Sequence, residues 1–354
     1  MKVSNFIVIN IVFMFFYCCN SNEGSNIDTN NETKINNKQK NNMFLWLPTT
    51  TAPESFPIEG LSATLYSSSN SSTRIPQELY CRKGWVEEGR IELMNDDVKP
   101  VPDKLVYKWL SLRERKVYLY DGEMPTALLA KYFQEGFISP IDNKKSTYQY
   151  IIFGLAPTGK ICIYLSGNGV CKDVITLQAK EYNLVGEELN EFVSIYKNLD
   201  NYIELALKED FNSNEIKPVD VNSYEATKWT NAYKKKYAWQ LNIIIEKKIL
   251  YLSIENYNGE RLYWNNLNEF YQIESQPIPK KIEIKWLDSV RGEKNLSIIT
   301  FDEEEIFKAF KLLNNKEDKI IIQPEINSKT YGIGVYIKNS KNVIQLKKCK
   351  FETR

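Results

Sequence analysis

The chain has 354 residues, enough for about two domains, and 46 basic against 45 acidic side chains leave a formal net charge of +1. That balance provides no global field to attract nucleic acid or an acidic substrate. The complete lack of histidine removes Ser-His and Cys-His nucleophile pairs, His-ligated zinc and His general bases together.

From the first residue, Lys2 supplies a positive start and residues 6–17 form an apolar run interrupted by Asn10. The run is too short for a comfortable membrane span and fits the hydrophobic region of a secretory signal. It leads into Cys18 and Cys19, which predicts a lipoprotein with the lipid on Cys19, since the modified Cys prefers a small predecessor and Tyr17 precedes Cys18. Plain secretion is the alternative. A membrane-anchored protein of the bacterial envelope, on its periplasmic or surface face, is the expectation. Residues 20–42 are Asn-rich and almost devoid of apolar side chains, so they read as a flexible tether.

The body begins at residue 43. Residues 61–66, 105–110 and 116–120 alternate as half-buried strands. Leu128, Leu129, Tyr132 and Phe133 then recur at helical spacing, with Gly136 as the stop. Strand character returns over 148–155, 160–166 and 170–180. Val185, Leu189, Phe192, Tyr196, Leu199, Ile203 and Ala206 share one helical face, which predicts a helical connector packed on the sheets. Further strands are expected over 241–245, 249–255, 281–287, 296–300, 319–323, 331–338 and 343–351. Asp302 and Glu305 form a capping pair ahead of a second helix.

Residues 100–110 read PVPDKLVYKWL and residues 277–287 read PIPKKIEIKWL, with six identities at an offset of 177. Leu129, Lys131 and Phe133 fall on Ile306, Lys308 and Phe310 at the same offset. The fold expected is therefore α+β: two similar, mostly antiparallel β-sheet domains, each with a covering helix, joined by a helical connector. The boundaries follow as signal 1–19, tether 20–42, first domain 43–181, connector 182–217 and second domain 218–354.

Four cysteines remain in the body: Cys81, Cys162, Cys171 and Cys349. A hairpin turned at Gly167-Asn168-Gly169 sets Cys162 opposite Asp173 or Val174, so Cys162 and Cys171 do not face each other and buried thiols are expected.

Residues 154–161, GLAPTGKI, have phosphate-loop spacing, but Ile161 stands where Ser or Thr would hold magnesium, and the following residues alternate as a strand instead of opening a helix. Pro157-Thr158-Gly159 reads as a hairpin turn, with no nucleotide expected. Glu87-Glu88, Asp96-Asp97 and residues 303–305 could supply a glycosidase-type carboxylate pair, and read more simply as solvated edges or a helix start. No cofactor or metal is expected, and no catalytic residue is assigned. Residues 228–239, KWTNAYKKKYAW, space Trp229, Tyr233 and Tyr237 four apart around Lys234, Lys235 and Lys236. The expectation is a short amphipathic helix docking its aromatic stripe on the second domain while the lysines stay wet.

Several of these features match one family: Thr51-Ala52-Pro53 with Phe56-Pro57, Gly84-Trp85 with Gly89, the strand within 102–110, residues 136–140 (GFISP), residues 150–167 around GLAPTGKICIYLSG, and the series Trp229, Tyr233, Tyr237, Trp239. On them the chain resembles, roughly over residues 46–351, a lipoprotein family common in Bacteroidetes and known as domain of unknown function 2931 (DUF2931). Similar proteins tend to have Trp-Gly where this chain has Trp85-Val86, and a Gly-rich turn where it has Thr158 after Pro157. The resemblance implies an envelope lipoprotein of unknown activity with no assigned catalytic residues; some similar proteins are suspected immunity proteins. Function is thus expected to be non-enzymatic binding of a protein partner in the envelope, with a glycan-binding protein or a carboxylate-based glycan-acting enzyme as the alternative.

Overall fold

The computed structural model describes residues 43–68, 71–87, 89–91, 98–288, 291–315 and 318–354, with backbone alone at 191–193. The expected signal (1–19), tether (20–42), Cys19, Glu88 and Asp96-Asp97 lie outside the described residues. Residues Asn42–Arg354 form one compact unit. It is mostly antiparallel β-sheet with few helices.

The first half runs β1 (Leu47–Thr51), β2 (Ile58–Ser67), β3 (Ser71–Arg74), β4 (Lys104–Ser111), β5 (Lys116–Glu123), α1 (Thr126–Glu135), β6 (Tyr150–Ala156), β7 (Lys160–Gly167), β8 (Val170–Gln178) and β9 (Lys180–Tyr182). Two helices follow, α2 (Glu187–Tyr196) and α3 (Leu199–Leu207), then a single turn, α4 (Tyr224–Thr227). The second half runs β10 (Trp239–Leu241), β11 (Lys248–Asn256), β12 (Arg261–Trp264), α5 (Leu267–Tyr271), β13 (Pro279–Asp288), β14 (Glu293–Thr300), α6 (Glu303–Leu313), β15 (Ile320–Ile326), β16 (Ile333–Lys338), β17 (Val343–Leu346) and β18 (Lys350–Thr353). Two ribbons of two-residue strands complete the pairing, Met43–Phe44 with Lys99–Pro100 and Phe137–Ile138 with Lys145–Ser146.

The sheet orders are β9-β5-β4-β2-β3, β10-β15-β16-β17, and a nine-stranded β1-β6-β7-β8-β12-β11-β13-β14-β18. The last joins strands of both halves through one β8–β12 pair, Cys171 with Arg261. Within the halves the connections correspond: β1 lies parallel to β6 as β10 lies parallel to β15, and β5 and β14 each follow a long strand carrying Trp109 or Trp286. Both tryptophans are fully buried. Each large apolar side chain removed from water in this way stabilises by on the order of 2–3 kcal/mol.

Local expectations hold where the backbone decides them. Gly136 ends α1 in the left-handed region (φ 58°), where its N–H bonds Tyr132 O at 2.9 Å. Asp302 caps α6, its Oδ1 accepting from Glu305 N at 2.9 Å. The Glu305 carboxylate turns outward to accept from the backbone N–H groups of Lys347 and Lys348 at 2.8 and 2.9 Å. Pro157-Thr158-Gly159 is the β6–β7 hairpin turn, with Thr158 N donating to Glu114 Oε1 at 2.8 Å. In the connector, Ile203 and Leu207 are buried against Leu110, Leu112 and Val117, but Val185 is 64% exposed because it precedes α2 instead of belonging to its buried face.

Other boundaries move. The strand expected over 241–245 ends at Leu241, and the one expected over 343–351 splits into β17 and β18, which belong to different sheets. The β7–β8 ladder turns at Asn168-Gly169 (φ 47° and 82°) and slips at Ile163/Tyr164, so Cys162 faces Thr176 instead of Asp173 or Val174. Among the described residues, no helix is long and apolar enough to cross a membrane.

Cys81, Cys162 and Cys171 are buried thiols and Cys349 is half-buried. Burial pushes Cys81 up to about 11 and Cys349 up to about 12, with Glu78 and Glu305 adding to the respective shifts. Because the thiolate is the reactive form, a chain carrying Cys18→Ser and Cys19→Ser is expected to show no rapid reaction with an aromatic disulfide reagent at mildly alkaline pH while folded. The same chain is expected to titrate four thiols in denaturant; a fast thiol in the native state would contradict this burial.

Candidate functional site

Residues 228–239 do not form the expected helix: α4 ends at Thr227, and the segment continues as turns into β10. Its aromatic stripe does dock on the second half, with Tyr233 5.6 Å from the Phe307 ring and Tyr237 5.2 Å from Phe310. The wet-lysine expectation fails at two positions. Lys228 is 8% exposed and bridges Glu225 Oε2 (3.0 Å) and Glu303 (3.3 Å). Lys234 reaches across to β8, donating to Asp173 Oδ1 and Thr176 Oγ1, each at 2.8 Å. Lys235 and Lys236 are the exposed pair.

That crossing belongs to a polar network joining the halves. The loop between β11 and β12 presents Asn258, whose carbonyl accepts from Trp85 Nε1 (3.1 Å) and Tyr164 Oη (2.7 Å). Asn258 Nδ2 donates to Asp173 Oδ2 at 3.3 Å and Glu260 Oε2 at 3.2 Å, and Glu260 pairs with Lys172 at 3.0 Å. Burial raises the Asp173 carboxyl, outweighing the pull of Lys234.

Above the network lies a cleft of about 450 Å³ at the junction of the halves. The first half supplies Glu54, Lys83, Trp85 and Glu87, and the second supplies Lys228, Trp229, Tyr233, Glu255, Asn256, Lys280 and Glu303. The Trp85 and Trp229 rings meet at 5.2 Å with a 50° tilt. Two unusual backbone positions shape the Trp85 side: Gly84 at φ 112° and Val86 at φ 62°. Burial opposes ionisation of Glu255, yet Lys280 (2.7 Å) and Lys281 (3.5 Å) overcome it and hold the carboxyl below its ordinary range. Burial, with Glu303 adding, raises the Tyr233 phenol far beyond any physiological titration. Asn256 is 1% exposed, and neither its Oδ1 nor its Nδ2 has a hydrogen-bond partner. Both atoms are closed to solvent, as are the equally unmet amide atoms of Gln276 outside the cleft, so this costly amide belongs to the packing of the wall and is not a contact open to a ligand.

The arrangement suits recognition more than proton transfer, because three of its carboxylates are engaged by lysines. Of the acidic clusters noted in the sequence, Glu87 lies on the rim and Glu303 in the wall, whereas Glu304 and Glu305 do not line the cleft. Sequence reasoning missed Trp85, Asn256 and Glu255 as partners. The one local signal was the Asn258-Gly259 turn, which holds the loop under Trp85. Among the described residues, no group of three or more Cys, Asp or Glu could hold a metal ion.

The family model described as "Protein of unknown function (DUF2931)" matches residues 30–237. The match takes in Trp85, Lys228, Trp229 and Tyr233 and stops short of β10. No curated protein and no solved structure matches the chain.

Proposed function

The chain belongs to the DUF2931 family, and from that premise we propose a lipoprotein of the bacterial envelope, anchored through Cys19, that binds a protein partner non-enzymatically in the cleft between its halves. The observation that carries the binding reading is the cleft itself, where the half-buried Trp85 and Trp229 rings lie among lysines and carboxylates supplied by both halves. Aromatic rings beside a small number of fixed polar groups are the usual make-up of a recognition site. The cleft also gives specific support to a second reading, glycan binding, since tryptophans can stack on sugar rings and the carboxylates lining the cleft can accept from hydroxyls.

The two halves descend, in this proposal, from one duplicated sheet-and-helix unit with a covering helix, joined by the α2–α3 connector. Support comes from the repeated PxPxKxxxKWL pattern, from β14 and α6 starting 177 residues after β5 and α1, and from the shared strand order. The cleft then lies where the copies meet.

In-cell photo-crosslinking tests the reading, with a photoreactive residue replacing Ser55 on the cleft and, as control, Val343, which is 66% exposed and outside it. One recurrent protein adduct from position 55, absent from position 343, is the expected result. No protein adduct, or the same adducts from both positions, would remove the protein-binding reading. Cys19→Ala is expected to release the chain from the membrane fraction, and retention there would sink that anchor site.

A further inference from the structure

Resting on the lipoprotein reading above, we infer that the end of the fold entered at Met43 lies on the bilayer that holds the anchor, with Ile138 and Ile141 seated among anionic headgroups and the cleft turned away from the membrane. Connectivity gives the first argument. Residues 20–42 are all that separates Cys19 from Met43, so this end of the fold is the nearest to the anchor along the chain. Two short ribbons meet there. Phe44, in the ribbon of Met43–Phe44 with Lys99–Pro100, stacks on Phe133 at 4.9 Å. Phe137, in the ribbon of Phe137–Ile138 with Lys145–Ser146, lies 5.0 Å from the Tyr148 ring. The Phe133 and Tyr148 rings are themselves 6.4 Å apart, so both ribbons are pinned to one aromatic group.

Strand alternation decides what faces out. With Phe44 and Phe137 turned in, Met43, Leu45 and Ile138 turn outward and are exposed, as is Val98 ahead of Lys99. Ile141, in the loop that closes the second ribbon, is 77% exposed, the most of any large apolar side chain among the described residues. Lys144 and Lys145 follow it, both exposed, and Asp142 is the one acid of the loop. Exposed aliphatic side chains rimmed by lysines suit a membrane surface, where the apolar groups enter the headgroup layer and the ammonium groups meet anionic lipid. A two-fold contact between copies centred here would instead set one basic loop against another.

The cleft lies at the other end of the same strands. β1 and β6 run parallel away from the ribbons, Leu47 beside Tyr150, and β1 spans about 15 Å. Glu54 and Ser55, beyond the far end of β1, line the cleft, and a Cβ on Gly154 of β6 would lie 3.1 Å from Trp85 Cη2. With the ribbon end on the membrane, the cleft stays open to a partner.

The test uses the full chain as matured by a lipoprotein-processing bacterium, reconstituted into vesicles of phosphatidylethanolamine and phosphatidylglycerol that carry a headgroup nitroxide lipid. A thiol-reactive fluorophore is placed on Ile141→Cys or on Ser55→Cys; the native body thiols, buried or half-buried, react slowly. Quenching at position 141 and none at position 55 is the expected result, with weaker quenching at 141 on vesicles of phosphatidylcholine alone. Ile138→Ser with Lys144→Gln and Lys145→Gln is expected to remove most of the quenching at 141 without moving the melting temperature, since all three side chains are exposed. Equal quenching at 141 and 55, equal quenching on neutral vesicles, or indifference to the three substitutions would each overturn the inference. A crosslink between two copies at position 141 would also overturn it and assign the face to a dimer. If the chain stays on the vesicles and position 141 is unquenched, this inference fails while the anchor stands. If the chain leaves the vesicles, both fail.

Discussion

Lys234→Met is expected to lower stability by about 3 kcal/mol at neutral pH, whereas Asp173→Asn at the other end of the same ion pair is expected to cost little. The asymmetry follows from how each group titrates. Burial pushes the Asp173 carboxyl up despite Lys234. A raised acid contributes stability that is fully present below its unfolded pKa and lost as pH rises through the folded value. Ionised Asp173 is thus a cost at neutral pH, and Lys234 offsets part of it. Burial also works to lower Lys234, but Cys162 and Asp173 outweigh it and the ammonium is held above its ordinary range. Its charge therefore stabilises the fold throughout the neutral range. Lys234→Met leaves an uncompensated carboxylate between Glu260 and the Tyr164 ring, while Asn at 173 keeps an acceptor for Lys234 and mimics the neutral acid. Denaturant unfolding should show the Lys234→Met deficit growing from acid, below the ordinary carboxyl range of about 4, toward neutral pH. Adding Asp173→Asn to Lys234→Met should return most of the loss. Equal losses for the two single variants, or a deficit independent of pH, would show that the pair does not work in this way.

The same lysine shows what could and could not be read along the chain. Local periodicity placed α1, α6 and most strands, because the alternation of residues 105–110 and the 3–4 spacing of Leu129 and Phe133 are properties of a few neighbouring residues. The Asp302 cap was legible for the same reason. Lys234 was expected in water because nothing near it in sequence could pair with it; its partners Asp173 and Thr176 lie about 60 residues away on β8. The cleft was invisible for a related reason. Trp85, Lys228, Asn256 and Glu303 come from four separate segments, and only the joining of both halves in one sheet brings them together. The strand expected over 343–351 failed differently: its apolar residues suit either sheet, and the chain crosses from one to the other between Leu346 and Lys350.

Gly259→Ala should also cost about 3 kcal/mol, through overpacking at a site where the backbone conformation itself resists a side chain. Gly259 has φ 93°, and a Cβ there would lie 2.2 Å from Val86 Cγ2 and 2.8 Å from Val86 Cβ. Val86 cannot swing aside: its branch point is the atom in the way, it is 2% exposed, and it packs with Ile152, Cys162 and Tyr164. The loop must then move, and with it the Asn258 carbonyl that receives Trp85 Nε1 and Tyr164 Oη. Val86 is itself in the left-handed region at φ 62°, a conformation that costs a β-branched residue on the order of 1–2 kcal/mol. A glycine there would remove both the strain and the contact. Val86→Gly alone should therefore change stability little, since relief of strain offsets the roughly 1.5 kcal/mol of lost burial. Combined with Gly259→Ala, it should recover the steric share of the loss and leave the share due to the positive φ of residue 259. Denaturant unfolding of the three variants checks this, with tryptophan emission reporting on Trp85. A Gly259→Ala loss that Val86→Gly does not relieve would mean that Val86 is not what holds the loop beneath the cleft.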